Sequence, residues 1–265
     1  MYSKFQLAKK YFQYYLSASN GRGHGVHSPF VFEFITKVLN DDREYYCYNS
    51  IETLRKRLKQ DDTLLTIEDF GAGSRVNSST QRTVSSIAKA ALKPKKFSRL
   101  FFRLVNYYQP ASVIELGTSL GITSAYMASA NPSAKVVTME GAKEVAAVAR
   151  RNFASLGLEN IAIAEGNFDE TLPAVLQPFA GIDFAFVDGN HRKRPTLEYF
   201  EQLLSKSHEN TILIFDDIHW SAEMEEAWHV IQQHERVTLT IDLFFIGIVF
   251  LRIEQKVKQH FAVRF

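Results

Sequence analysis

VIELGTSLGITS, residues 113–124, runs from an apolar segment of strand type through Gly117 and Gly121 straight into a segment of helix type. Twenty-three residues after Gly117 a second apolar run, VVTMEG, ends in an acid, Glu140. Glycines in such a bend let the backbone approach a ligand closely. The helix start offers free N–H groups, and an acid at the tip of the second strand can accept hydrogen bonds from ribose hydroxyls. A second glycine bend, TIEDFGAGSR at 66–75, lies upstream, but RVNSSTQRTVSSIAKAA follows it and supplies neither a second strand nor a ribose acid. The nucleotide-type loop is therefore Gly117–Gly121. GTSLG lacks the G-x-G-x-x-G pattern, with Ser119 where the second glycine would stand, so a dinucleotide is not the expected ligand.

Outward from this loop, short apolar runs alternate with helical stretches from residue 111 on: SVIEL, ITSAYMASA, KVVTME, KEVAAVARRNFASLG, NIAIAEG, a short helix near 169–176, IDFAFVD, TLEYFEQLLSK, TILIFDD and AEMEEAWHVIQQH. The alternation implies a parallel sheet with helices on both faces. VTLTID and FIGIVFLRI then read as a hairpin, so the last strand runs antiparallel to its neighbour. Residues 1–96 read as a mainly helical N-terminal extension. Its first helix, 4–17, carries Phe5, Ala8, Phe12 and Tyr15 at helical spacing, a stripe expected in the core or in a homodimer contact.

The loop and its setting resemble motif I of the class I S-adenosylmethionine-dependent methyltransferases, and the terminal hairpin resembles that fold's antiparallel ending. The resemblance covers residues 97–253 and leaves 254–265 as a tail. It implies a Rossmann-like α/β fold, a seven-stranded, mostly parallel sheet with S-adenosylmethionine over the C-terminal ends of its first strands. Carried onto this sequence, Glu115, Gly117 and Thr118 line the methionine end in the loop that Gly121 closes, and Glu140 takes the ribose. In EGNFDE, Asn167 and Phe168 are candidates to flank the adenine, the alternative for both being simply a helix N-terminus.

Two further strand ends carry acids. FAFVDGNH ends at Asp188, with His191 three residues on, and LIFDDIHW ends at Asp216 and Asp217, with His219 beyond. In a parallel sheet both ends open on the edge of the cofactor loop. Three carboxylates gathered there repel one another, and a hard divalent cation such as Mg²⁺ offsets that. The arrangement resembles the small metal-dependent O-methyltransferases of the catechol and caffeoyl-coenzyme A type, and a related bacterial D-G-x-H group. Asp188 and Asp216 match directly, while Asp217 stands where those families usually have Asn. His191 falls at the position of the catalytic lysine of the catechol-type enzymes. A neutral imidazole there can take a hydroxyl proton. The structural alternatives are a turn acid or a ligand of the donor's ammonium for Asp188, a helix cap for Asp217 and a loop histidine for His191.

The 265 residues are 46% hydrophobic and 23% charged, ordinary for a globular protein. The single cysteine, Cys47, excludes an intrachain disulfide and a cysteine-built metal site. The first residues show no secretory h-region, and the longest apolar run, LFFIGIVFL at 243–251, is too short to span a bilayer, so a cytoplasmic protein without a membrane span is expected. The net charge of +2 is uneven: residues 1–110 carry 18 Lys and Arg against 9 Asp and Glu, residues 111–265 carry 13 against 20. The basic half suits nucleic acid, anionic lipid or an anionic acceptor, or is simply solvated. Arg75 in the upstream glycine bend, with Lys93, Lys95, Lys96 and Arg99, is a candidate acceptor entrance, the alternative being an ordinary turn. The expected activity is O-methylation of a small, anionic or aromatic acceptor. The competing readings are a nucleic-acid methyltransferase, for which the N/D-P-P-Y/F segment is missing at VDGNH, and a non-catalytic donor-binding scaffold.

Overall fold

The computed structural model describes residues 1–68 and 79–265. The bend Gly71–Arg75 lies outside the described residues. In chain order the elements are α1 (Lys4–Ser17), α2 (Pro29–Phe34) continued by a π-helical turn (Ile35–Leu39), α3 (Tyr48–Leu58), β1 (Leu64–Glu68), β2 (Ser79–Thr83), α4 (Val84–Ala91) and α5 (Lys95–Tyr108). They continue as β3 (Ser112–Leu116), α6 (Ile122–Ala130), β4 (Lys135–Glu140), α7 (Lys143–Ser155), β5 (Ile161–Glu165), α8 (Phe168–Leu176), β6 (Ile182–Val187) and α9 (Lys193–Ser205). Last come β7 (Ser207–Asp216), α10 (Ala222–Gln233), β8 (Leu239–Asp242), β9 (Ile246–Phe250) and β10 (Gln259–Ala262). The fold is α/β, with an eight-stranded, mostly parallel sheet in which β9 is antiparallel to its neighbours. No helix among the described residues is long and apolar enough to cross a membrane.

The chain divides into two compact units, Asp42–Pro178 and Met1–Asp41 with Phe179–Phe265. In the first, β3, β4 and β5 are parallel neighbours. All five residues of β3 are buried, as expected of a strand covered on both faces. Tyr48, Phe101, Phe102 and Tyr126 are almost fully buried around α3, α5 and α6. The basic helix α3 is not simply solvated. Arg55 is buried, giving hydrogen bonds to Glu52 Oε1, the Lys93 carbonyl and Ser98 Oγ. Arg99 pairs with both oxygens of Glu44. Part of the front half's positive charge is thus spent inside the fold. The stretch after the first glycine bend does contain a strand, contrary to expectation, and Gln81–Thr83 belongs to it rather than to α4. This β2 runs antiparallel to β1, so the pair is a hairpin and not the start of a strand–helix–strand unit.

In the second unit the strand order is β10-β8-β9-β7-β6. Only β9 opposes its neighbours, β7 and β8, while β6–β7 and β8–β10 are parallel. A Cβ on Gly247 of β9 would stand 2.5 Å from the Trp228 ring, so the strand carries a glycine where α10 rests on it. The eighth strand, β10, lies within the segment read as a tail. QHFA has no run of apolar residues, and no sequence pattern marks it. The stripe Phe5, Ala8, Phe12 and Tyr15 is not in the core of this chain, because all four are exposed. The face of α1 that packs is Leu7, Tyr14 and Ala18, against Phe244 and Ala262, with the Tyr14 hydroxyl donating to the Val263 carbonyl. Apolar residues recur on both sides of α1, so the period marked the helix without marking its inner side.

Candidate active site

The donor-type loop follows from β3 and β4. The N–H groups of Gly117 and Thr118 both donate to the Met139 carbonyl, at 3.0 and 2.9 Å, and Gly121 N–H closes a turn onto the Thr118 carbonyl. The backbone is left-handed at Gly117, Ser119 and Gly121, with φ of 110°, 48° and 80°. Gly121 is required on two counts. Besides its φ, a Cβ there would meet Phe153 Cε1 at 2.5 Å. Beneath the loop, Thr138 Oγ1 donates to Glu115 Oε2 (2.6 Å). Its one proton is then used, so Thr118 Oγ1, 2.6 Å away, donates to Thr138. Ser124 Oγ donates to the same Glu115 oxygen. Glu115 is fully buried and anchors Thr118 and the start of α6 from below.

Glu140, at the tip of β4, accepts from Ser119 N–H (2.8 Å) with one oxygen and from Ala142 N–H (3.0 Å) with the other. Burial raises its carboxyl pKa above the ordinary 4.5, against the lowering effect of those N–H groups. The carboxylate keeps lone pairs for a further donor such as a ribose hydroxyl. Ser119 Oγ is buried and has no hydrogen-bond partner among the described residues. That is the condition expected of a loop hydroxyl awaiting a polar ligand, so the loop fits a nucleoside donor. Asn167 is the N-cap of α8, accepting from Asp169 N–H at 3.1 Å, and Phe168 is the first residue of that helix, partly exposed. A raised carboxyl pKa favours the folded state at low pH, and this contribution is lost as pH rises through the folded value. Glu140→Gln, which mimics the protonated acid, is therefore expected to lack the fall in stability that the wild type shows as pH rises above 4.5. Urea midpoints of variant and wild type, compared across that range, should converge on the acid side.

The acids at the ends of β6 and β7 lie in the other unit. Ligand atoms of Asp188, His191 and Asp216 all fall within 4.8 Å of one another, with Asp216 buried and the other two half-buried. Two carboxylates and an imidazole at this spacing fit a divalent cation, Mg²⁺ by the carboxylates and Mn²⁺ by the mixed set. Asp217 stands outside this group. Its backbone is left-handed (φ 53°) and its N–H donates to the Phe245 carbonyl at 2.6 Å. Its side chain instead faces His191, with Nδ1 at 3.9 Å from Asp217 Oδ2, while Nε2 is 3.8 Å from Asp188 Oδ1. The imidazole therefore lies between two carboxylates, one of them in the candidate cation group.

A network that sequence spacing did not reveal adjoins these acids. His219 Nδ1 is 3.0 Å from Glu225 Oε1 and Nε2 is 2.8 Å from Asp242 Oδ2. A neutral ring has one N–H, so contact with two carboxylates calls for the imidazolium. Burial opposes that charge, yet the carboxylates of Asp242 and Glu225 hold the pKa above the ordinary 6.5. Glu225 also accepts from Tyr2 Oη (2.7 Å) and Lys10 Nζ (2.9 Å). Tyr2 and α1 are thereby fixed to the first turn of α10. The signal in the sequence was the acid–histidine alternation of FDDIHW; Tyr2, which joins the network through Glu225, lies 223 residues from that acid.

Comparisons with known proteins agree with this fold. Residues 114–218 match the family model described as a methyltransferase domain. The matched stretch spans Glu115, the glycine loop, Glu140, Asn167, Phe168, Asp188, His191 and both acids after β7. No curated protein matches the chain in sequence. Among solved structures, the S-adenosylhomocysteine-bound methyltransferase PaMTH1 of Podospora anserina has a TM-score of 0.59 at 12% identity, covering 85% of this chain and 97% of its own. The Bacillus cereus O-methyltransferase in complex with S-adenosylhomocysteine has a TM-score of 0.53 at 17% identity, covering 83% and 97%. The O-methyltransferase TomG of Streptomyces achromogenes, involved in tomaymycin synthesis and solved with S-adenosylmethionine, has 0.53 at 20%, covering 79% and 99%. Residues 114–218 thus resemble a methyltransferase domain, and the fold is one shared with solved O-methyltransferases.

Proposed function

We propose that the protein methylates a hydroxyl oxygen of a small-molecule acceptor, with Asp188 and Asp216 holding a divalent cation. The observation that carries this reading is the convergence of Asp188, His191 and Asp216 within 4.8 Å. S-adenosylmethionine supplies the electrophilic methyl, and a bound cation supplies charge that lowers the pKa of an acceptor hydroxyl. Gly117 to Gly121 cradle the donor, Glu140 accepts from its ribose, and Asn167 and Phe168 border its base. Glu115 acts as a positioning residue through Thr138 and Thr118. His191 takes the hydroxyl proton as the C–O bond forms and the sulfonium S–C bond breaks, and Asp217 orients its ring. Residues 97–253 are assigned to the methyltransferase domain, 1–96 to its N-terminal extension and 254–265 to a C-terminal tail.

Calorimetry with S-adenosylmethionine, in Mg²⁺ and in EDTA, is expected to give donor binding in both. S-adenosylhomocysteine release with a panel of catechols and hydroxy acids should occur only with the metal. Release that persists in EDTA overturns the cation's role, and absence of donor binding overturns the donor site. His191→Gln separates base from ligand. A base lost at constant Mg²⁺ affinity lowers kcat by about 10²–10⁴-fold, whereas weakened Mg²⁺ activation makes His191 a ligand.

A further inference from the structure

The outward face of α1 is apolar as well as its inward face. Phe5, Phe12 and Leu16 are 80%, 61% and 62% exposed, and Tyr15 beside them is 48% exposed. At 100° per residue Phe5, Phe12 and Leu16 fall within one narrow stripe, opposite Leu7, Tyr14 and Ala18. The helix is not loose. Its inner face packs on Phe244 and Ala262, Lys10 pairs with Glu225, and Tyr2 N–H donates to the Trp220 carbonyl. A helix apolar on both sides is normally covered on both, and nothing among the described residues of this unit covers the outer stripe.

The charge on the helix selects what does. KFQLAKKYFQYYLS contains three lysines and no acid, and no Asp or Glu precedes Glu33. Lys4 and Lys9, both exposed, flank the stripe. A second copy docked by two-fold symmetry would set these lysines against themselves with no carboxylate on either helix. The stripe is also a row of separate, largely exposed side chains on one helix, which suits a deformable surface better than a rigid partner. We propose that α1 docks this protein onto anionic lipid bilayers, Phe5, Phe12 and Leu16 entering the headgroup boundary while Lys4 and Lys9 reach the anionic headgroups. The helix lies in the plane of the surface and does not span it.

Co-sedimentation of the full chain with phosphatidylserine-rich vesicles, against vesicles of phosphatidylcholine alone, tests this. Binding is expected to the anionic vesicles and to weaken with salt. F5S/F12S/L16S should abolish it. K4Q/K9Q should weaken it by about fivefold per lysine. All these side chains are exposed, so S-adenosylmethionine affinity should be unchanged in both variants, which separates this reading from that of the active site. Equal binding to both vesicle types, or none, overturns the proposal. So does a dimer in light scattering that F5S/F12S/L16S dissolves, which would give the face to a second copy. A wild type that ignores vesicles yet retains an acidic protein through the same stripe overturns it too.

Discussion

Gly121→Ala is expected to cost about 2–5 kcal/mol of folding stability and to abolish measurable donor binding. Two independent penalties combine. A left-handed φ of 80° costs a residue with a Cβ about 1–2 kcal/mol. The new methyl would also stand 2.5 Å from Phe153 Cε1 and 2.7 Å from Cζ, and Phe153 is buried, so relief of this overpacking costs about 1–3 kcal/mol more. Either the loop or α7 must shift. A shifted loop also breaks the turn from Gly121 N–H to the Thr118 carbonyl, and with it the shape offered to the donor. Urea unfolding reads the first effect and calorimetry with S-adenosylmethionine the second. Adding Phe153→Leu should recover the steric share and leave the backbone share. Full recovery in that double variant, or a single variant as stable as wild type, would contradict this account.

Asp216→Asn is expected to lower kcat/KM by at least about a hundredfold, because loss of even an outer partner of a metal ligand costs 10–100-fold. Asp216 is 2% exposed and sits in the three-residue group, whereas Asp217 stands outside it. The same change at Asp217 should therefore be milder and should leave the Mg²⁺ concentration for half-activation nearly unchanged, while Asp216→Asn raises it. Donor affinity should survive both. Equal losses from the two substitutions would mean that the acids act as one set, and the separation drawn between them would fail. Thermal melts of each variant guard against mistaking unfolding for lost chemistry.

The contrast between those two acids illustrates what the sequence carried. Neighbouring residues on a strand point to opposite faces, so FDD placed two acids at one tip but not which of them meets Asp188. The left-handed turn at Asp217 is a tertiary outcome, fixed by its N–H bond to the Phe245 carbonyl. The alternating strands and helices from Ser112 to Phe250 were legible because short apolar runs, as in the fully buried β3, alternate with longer helical segments. The edge strand β10 was not, since QHFA is only partly buried and has no such run. Glu140 was legible as a strand-tip acid. Its hold on the Ser119 and Ala142 N–H groups was not, and neither was the relay from Thr118 through Thr138 to Glu115, because hydrogen bonds between strands leave no mark on spacing. Likewise the positive balance of residues 1–110 did not distinguish Arg55, buried and bonded to three partners, from the exposed Lys4 and Lys9.

One of the two units is assembled from both ends of the chain. Ser19 bridges Val263, and Tyr14 is fastened to the same residue. A ribosome releases Met1–Asp41 before Phe179–Phe265, so the earlier segment must wait for the later one to emerge. Asp42–Pro178 has no such delay and can close as soon as it emerges. Nascent chains arrested shortly after Pro178 should then protect the stretch around α6 and α7 from protease while α1 is still cut, and only chains extended past Val263 should shield both.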